Sequence, residues 1–218
     1  MTLSIIIPCY ITDEQLYKLT KRCLVSIRKY TAVKYEIIII DDAGDKKYID
    51  FLSKNSDIYI RHKDNKKNNA LAWNEGGYLA IGKYLCFMDN DVKVLKNWDK
   101  PLIKMLKNIK VGVAFPISKC KEDLQFKKRI DGFCFTISNL VFKKVGIISQ
   151  EWGLYFEDTD YTMKLQSLGY LLKSCPDSKV LHYARATTDK DPWIEVLYLR
   201  NKEKYEKKWG GLYPGLNL

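Results

Sequence analysis

Three clusters of acids stand where apolar segments end, and they are the residues of this sequence best suited to chemistry. Tyr84 to Asp91, "YLCFMDND", runs five largely apolar residues into Asp89, Asn90 and Asp91. "YEIIII" runs into Asp41 and Asp42, and "YFEDTDY" presents Glu157, Asp158 and Asp160 at a helix start. Carboxylates this close repel one another unless solvent, a cation or hydrogen-bond donors relieve them. A divalent cation held by oxygen ligands is the first such relief to consider. Each cluster also has a plain structural reading: a turn or helix cap for 41–42, an Asx-type turn for 89–91, complement to a helix dipole for 157–158. Their joint occurrence weighs the other way. Parallel strands bring their carboxyl ends to one edge, where open α/β sheets bind ligands.

The elements that must place those acids are legible as alternating strands and helices with short connections, which predicts a mostly parallel sheet wrapped by helices. "LSIIIPCY" reads as a strand stopped by Pro8, and residues 13–30 as a helix with Leu16, Leu19, Cys23 and Ile27 on one stripe. After the strand ending at Asp41 and Asp42 come a short helix around Lys47 to Leu52 and a strand "DIYIRH". Residues 69–82 read as a helix with Leu71, Asn74, Tyr78 and Ile81 on related faces. "NWDKPLIKMLKNI" is a helix that tolerates Pro101 only in its first turn. "VGVAFP" closes this half. The second half is less regular: a strand "GFCFTIS", a short helix "NLVFKKVG" stopped by Gly146, and the acid-led helix ended at Gly169. Two brief strands, "LLKSCP" and "KVLHY", precede an amphipathic helix, "PWIEVLYLRNKEKYEKKW", and a Gly/Pro-rich tail.

The 218 residues suffice for one sizeable core, so a single domain is expected, at 46% hydrophobic and 29% charged an ordinary globular composition. No apolar run approaches the roughly 20 residues that cross a bilayer. The start lacks a basic leader, and a cytoplasmic protein is expected. Cys9, Cys23, Cys86, Cys120, Cys134 and Cys175 form no CxxC pair and read as small buried hydrophobes in a reducing compartment. The net charge of +11 raises nucleic acid, an anionic membrane or an anionic substrate as partners. The lysine-rich stretches carry acids as well, so a nucleic-acid track is not expected. "GYLAIGKY" imitates a phosphate loop but has Tyr84 in place of the hydroxyl and lies in helix-to-strand order. With His62 and His182 as the only histidines, a multi-histidine zinc site is excluded. His62 reads as a surface residue, and His182, after "KVL", as structural on the residues alone.

"SIIIPCY", "IIIIDDAGD", "NNALAWNEGGYLAIGKYLCFMDND" and "LYFEDTDYTMKLQSLGY", in this order, resemble the inverting family 2 glycosyltransferases with the GT-A fold. The resemblance spans roughly residues 3–183. It implies an α/β GT-A domain over 1–218, with a nucleotide-binding half at 1–116, an acceptor and catalytic half at 117–190, and a C-terminal helix and tail at 191–218. It implies that Pro8, Cys9 and Tyr10 line a base and ribose pocket, that Asp42 accepts a hydrogen bond from the base, and that Asn69 and Asn90 lie on the donor. Asp89 and Asp91 correspond to the DxD motif, joined by His182 on Mn²⁺ or Mg²⁺, with the imidazole favouring Mn²⁺. Asp158 matches the general base, with Glu157 the next candidate. The implied reaction moves a sugar from a nucleotide-sugar donor, a UDP-sugar first, to a hydroxyl of a glycan, lipid-linked or protein-linked acceptor. A peripheral membrane contact through the last helix is a secondary expectation. Trp73 stands where the family commonly has Arg, Asn68 and Asn69 replace Gly, and Ala43-Gly44 replaces Gly-Ser, which assigns the diphosphate contact to Lys66 or Lys67. The rivals are a nucleotidyltransferase, which lacks its Gly-rich basic loop in "PCYITDEQ", and a non-catalytic protein that binds nucleotide sugars or nucleic acid.

Overall fold

Alternate residues of the first strand face two different cores, and this fixes the layering. The computed structural model describes residues 2–118, 130, 132–183 and 193–211. In β1 (Leu3–Cys9), Leu3, Ile5, Ile7 and Cys9 pack with Leu16, Cys23, Leu24 and Ile27 of α1 (Glu14–Tyr30). Ile6 points the opposite way, to a second core built on Ala70, Ala72 and Trp73 of α3 (Asn69–Leu79). The same alternation runs through β2 (Tyr35–Asp41) and β4 (Tyr84–Met88). A sheet covered on both faces explains strands apolar at nearly every position. Each isoleucine buried here contributes roughly 1.5–3 kcal/mol.

β3 (Ile58–Arg61), β2, β1 and β4 lie side by side and parallel. Beyond β4 the sheet becomes mixed. β7 (Cys134–Ser138) is antiparallel to β4 and to β6 (Val111–Ser118); β8 (Leu171–His182) runs parallel to β6; β5 (Val92–Val94) closes the order antiparallel to β8. Further helices are α2 (Ile49–Lys54), α4 (Asp99–Met105), α5 (Asn139–Val145), α6 (Glu157–Ser167) and α7 (Trp193–Trp209). No described helix is long and apolar enough to cross a membrane.

Four expectations need correction. Pro8 does not stop β1, which continues to Cys9. Its missing N–H faces the side where pairing with β4 has already ended at Ile6↔Phe87, so no ladder bond is lost. α3 ends at Leu79 rather than near 82, because the next N–H groups are captured by side chains: Ile81 N–H by Glu36 (2.9 Å) and Gly82 N–H by Ser4 (2.8 Å). The stripe expected on this helix is also divided, since Asn74 is buried beside Trp73 whereas Tyr78 and Ile81 are exposed. Gly76 and Gly77 lie against the protein together with Trp73, and an added Cβ there would meet Ile6 at 2.3 Å and Phe142 at 2.8 Å. Finally, "LLKSCP" and "KVLHY" are one strand, interrupted by a register shift where Pro116 pairs with Cys175 and Ile117 with Lys179. Pro101 does lie in the first turn of α4. The five described cysteines are free and buried; Cys120 and the tail from residue 212 lie outside the described residues.

Candidate active site

β4 delivers its acids to the sheet edge, and the β5–β8 pairing brings the histidine to them. Asp89 follows β4 directly, its N–H donating to the Phe133 carbonyl at 2.8 Å, and Asp91 precedes β5. Antiparallel register sets His182 opposite Val92, one residue from Asp91. Its ring stacks on Phe133 at 4.5 Å between centroids. His182 Nε2 lies 3.4 Å from Asp91 Oδ1 and 3.9 Å from Asp89 Oδ2, and one ligand atom from each residue falls within 4.8 Å of the others. Two carboxylates and an imidazole at this spacing make a donor set suited to Mn²⁺ or Mg²⁺. Asp91 Oδ1 is buried without a hydrogen-bond partner, an arrangement a cation would relieve.

Asp158 and Glu157 share this electrostatic environment. Burial, then repulsion from Asp91, with Asp158 adding, pushes the Asp89 carboxyl up to about 7 against the pull of His182. Burial, then repulsion from Asp158 and Asp89, pushes Glu157 up to about 8, opposed by a hydrogen bond from Asn69. Glu157 is buried and its Oε2 has no partner. Asp158 is only partly buried and well oriented: Oδ1 accepts from the N–H (2.6 Å) and hydroxyl (3.1 Å) of Thr159, and Oδ2 from the Gly132 N–H (3.1 Å). The turn before this pair is strained. Gly153, Tyr155 and Phe156 have φ of 71°, 66° and 73°, which for the two non-glycine residues costs on the order of 1–3 kcal/mol each.

The other expected residues divide. Asn69 reaches Glu157. Asn90 instead donates to Thr20 of α1 at 2.8 Å, anchoring the Asp89–Asp91 turn to that helix. Pro8 and Tyr10 are half-buried at the end of β1, whereas the Cys9 side chain belongs to the core, so Cys9 offers a pocket only its backbone. Trp73 is core as well, edge-on to Phe135 at 5.4 Å. Lys66 lies 4.0 Å from Asp64. The oxygens of Asp42 are already engaged by His62 Nδ1 (2.7 Å) and by the N–H groups of Lys66 (2.8 Å) and Lys67 (3.1 Å). His62 is therefore not the surface residue expected. Its Nε2 meets Glu75 at 2.7 Å and its side chain is 9% exposed. Burial works against the charged ring, but the bonds to Asp42 and Glu75 outweigh it and raise its pKa. Asp41 is likewise satisfied, by Arg61, by Tyr59 at 2.6 Å and by the Gly44 N–H at 2.9 Å.

Sequence reasoning missed the grip of α7 on the acid-led helix. Trp209 Nε1 and Lys208 Nζ each reach Asp160 at 2.8 Å, and Lys208 and Lys204 pair with Glu151. A polar face on an amphipathic helix carries no signal for such contacts.

Comparison with known proteins agrees with this architecture. The profile described as Glycosyl transferase family 2 matches residues 4–168. "Glycosyltransferase GlyG" of Streptococcus pneumoniae serotype 4 is 25% identical over 149 residues, covering 66% of this chain and 48% of that protein. The chain thus spans about half the length of the curated relative it matches. Among solved structures, GalNAc-T7 with UDP, GalNAc and Mn²⁺ superposes with a TM-score of 0.79 at 19% identity, covering 96% of this chain and 49% of that one. The mannosyltransferase PcManGT from Pyrobaculum calidifontis, in complex with GDP-Man and Mn²⁺, gives 0.72 at 14% identity over 85% and 58% of the two chains. S. aureus TarS 1-349 in complex with UDP gives 0.68 at 17% over 83% and 59%. The fold is that of these GT-A glycosyltransferases.

Proposed function

Because this chain belongs to glycosyl transferase family 2, we propose that it moves a sugar from a nucleoside-diphosphate donor to a hydroxyl acceptor, with inversion at the anomeric carbon. The observation that carries this reading is the convergence of Asp89, Asp91 and His182 within 4.8 Å, with Asp158 close enough to raise the pKa of Asp89. A UDP-sugar is the first donor to test. Two of the structural neighbours are complexes with UDP, and a third holds GDP-Man.

Asp89, Asp91 and His182 hold Mn²⁺ or Mg²⁺, with the imidazole favouring Mn²⁺. The bound cation supplies positive charge against the charge that develops on the leaving diphosphate. Asp158 is the general base. It takes the proton of the acceptor hydroxyl as that oxygen bonds to the anomeric carbon and the diphosphate departs with the electrons of the broken C–O bond. Thr159 and the Gly132 N–H hold its two oxygens in a fixed orientation. Glu157, whose carboxyl is pushed up to about 8 by burial and then by the charges of Asp158 and Asp89, is the second candidate for the base. Residues 1–116 form the nucleotide half of the single domain and 117–190 the acceptor half.

The test is a calorimetric and thermal-shift panel of UDP, dTDP, GDP, CDP and their common sugars, each with Mn²⁺, Mg²⁺ or EDTA. Selective stabilisation by one nucleoside diphosphate, lost in EDTA and in Asp91→Ala, is expected. Asp158→Asn should keep that binding while turnover falls about 10²–10⁴-fold. Turnover surviving in Asp158→Asn removes the base assignment, and indifference to every nucleotide under every metal removes the reading itself.

A further inference from the structure

The turn that launches Glu157 and Asp158 has no side-chain cap of its own. Phe156, at the N-cap position of α6, makes no side-chain cap bond and sits in the left-handed region, as does Tyr155 before it. Such a turn persists only where surrounding structure over-determines it. That support comes from α7, beyond the residues matched by the family profile. Asn201 is fully buried in the middle of α7. Its amide Nδ2 donates to three carbonyls of the turn, those of Trp152 (2.7 Å), Leu154 (2.8 Å) and Tyr155 (3.3 Å). An amide carries two N–H donors, so these three acceptors saturate its nitrogen and fix which end faces the turn, while Oδ1 is buried without a partner. Further contacts from the same helix bracket the turn. On the near side Lys204 donates to the Glu151 carbonyl at 3.0 Å, and on the far side Trp209 and Lys208 hold Asp160. Trp152, Phe156 and Tyr205 pack between them.

We infer that Asn201 is a positioning residue for the Glu157–Asp158 pair, with α7 acting as a strap that sets where the first turn of α6 begins. The inference rests on the transferase reading for what the positioned carboxylate does, and on geometry alone for the clamp. A hydrogen-bonding clamp of this kind acts on placement. A shift of about 1 Å at a reacting group lowers turnover by roughly 10²-fold without weakening the binding of groups held elsewhere.

The experiment compares the full chain with Asn201→Ala, Asn201→Asp and Trp209→Phe. Asn201→Asp keeps the shape but sets an acceptor against three carbonyls. Trp209→Phe keeps an aromatic ring in that cluster and removes the indole N–H bond to Asp160 with part of the ring contact, so it carries the test if the Asn201 variants do not fold. Hydrogen–deuterium exchange, UDP affinity in Mn²⁺, and UDP release from the best donor of the panel are measured on each. For Asn201→Ala we expect exchange over residues 153–160 to accelerate about tenfold or more, with β1 and β4 unchanged. UDP affinity should stay within about twofold while kcat falls about 10–100-fold at constant donor KM. Trp209→Phe should show the same split at about two- to fivefold in kcat. Unchanged exchange, unchanged kcat beside accelerated exchange, or UDP affinity falling in step with kcat each overturns the strap. A wild-type chain that releases UDP from no donor defeats the transferase reading only, and the exchange measurement still decides the clamp.

Discussion

Two pairs of acids end the strands on either side of β1, and the protein treats them in opposite ways. Asp41 and Asp42 are saturated: one by Arg61, Tyr59 and the Gly44 N–H, the other by His62 and the N–H groups of Lys66 and Lys67. Asp89 and Asp91 face each other with one imidazole between them, and Asp91 keeps a buried oxygen without a hydrogen bond. The carboxylates of the first pair are met by fixed donors. The second is buried and held against its own repulsion: burial first, and then the charge of Asp91, raise Asp89 to about 7. Both are pairs of aspartates at the carboxyl end of a parallel strand, Asp41 being the last residue of β2 and Asp89 the first after β4. What differs is the supply of donors: the 59–67 segment offers Tyr59, Arg61, His62 and the N–H groups of Lys66 and Lys67, whereas the His182 imidazole stands 3.4 and 3.9 Å from Asp91 and Asp89. A carboxylate pair left in that condition is arranged for a cation, and a satisfied one for holding the chain.

The widest test of this contrast sets stability effects of opposite sign against each other. Asp41→Ala strips Arg61, Tyr59 and the Gly44 N–H of their shared acceptor, and we expect a loss of roughly 3–5 kcal/mol in denaturant unfolding. Asp91→Asn removes repulsion at the crevice, so in EDTA the variant should melt higher than the parent, by about 2–4 °C for each ~1 kcal/mol gained in a chain of this size. In Mn²⁺ with UDP the order should reverse, because the variant loses the ligand-linked stabilisation. If Asp91→Asn melts lower than the parent in EDTA, the two pairs are alike and the contrast fails.

Much of this was legible in the sequence, for identifiable reasons. Continuous apolar runs gave away strands buried on both faces, and the capped stripe of Leu16, Leu19, Cys23 and Ile27 gave away α1. The acid clusters could be placed on one edge because parallel order follows from alternation. The same double burial hid which way Cys9 points, since a strand apolar on both faces has no parity signal. α3 misled because part of its buried face is Gly76 and Gly77, set there for close approach, while the larger Tyr78 and Ile81 point outward. His62 was illegible because its partners Asp42 and Glu75 lie 20 and 13 residues away, brought together only by the β2–β3 register and the placement of α3. Asn201 was silent for the same reason: a polar residue in a basic helix declares nothing until its three carbonyls are known.

The pH dependence sharpens the contrast at smaller amplitude. Asp89 and Glu157 titrate near 4 when unfolded and at about 7 and about 8 in the fold. Between those limits the native state binds more protons than the unfolded chain, so metal-free stability must fall as pH rises from about 4 to 8. Mn²⁺ favours the deprotonated carboxylates, so its stabilising effect should grow over the same range. His62 falls in the same direction for a different reason. Its raised pKa makes its contribution complete below the unfolded value near 6.5 and lost as pH rises through the folded one. The two sources separate by variant and by metal. His62→Gln should flatten only the portion above about pH 6.5, equally in EDTA and Mn²⁺, whereas Asp91→Asn should flatten the EDTA curve from about pH 4 upward and abolish the Mn²⁺ response. Thermal melts across pH 4–9 in both conditions decide it. A His62→Gln curve that alters the Mn²⁺ response would mean that the satisfied pair and the frustrated pair are one coupled network.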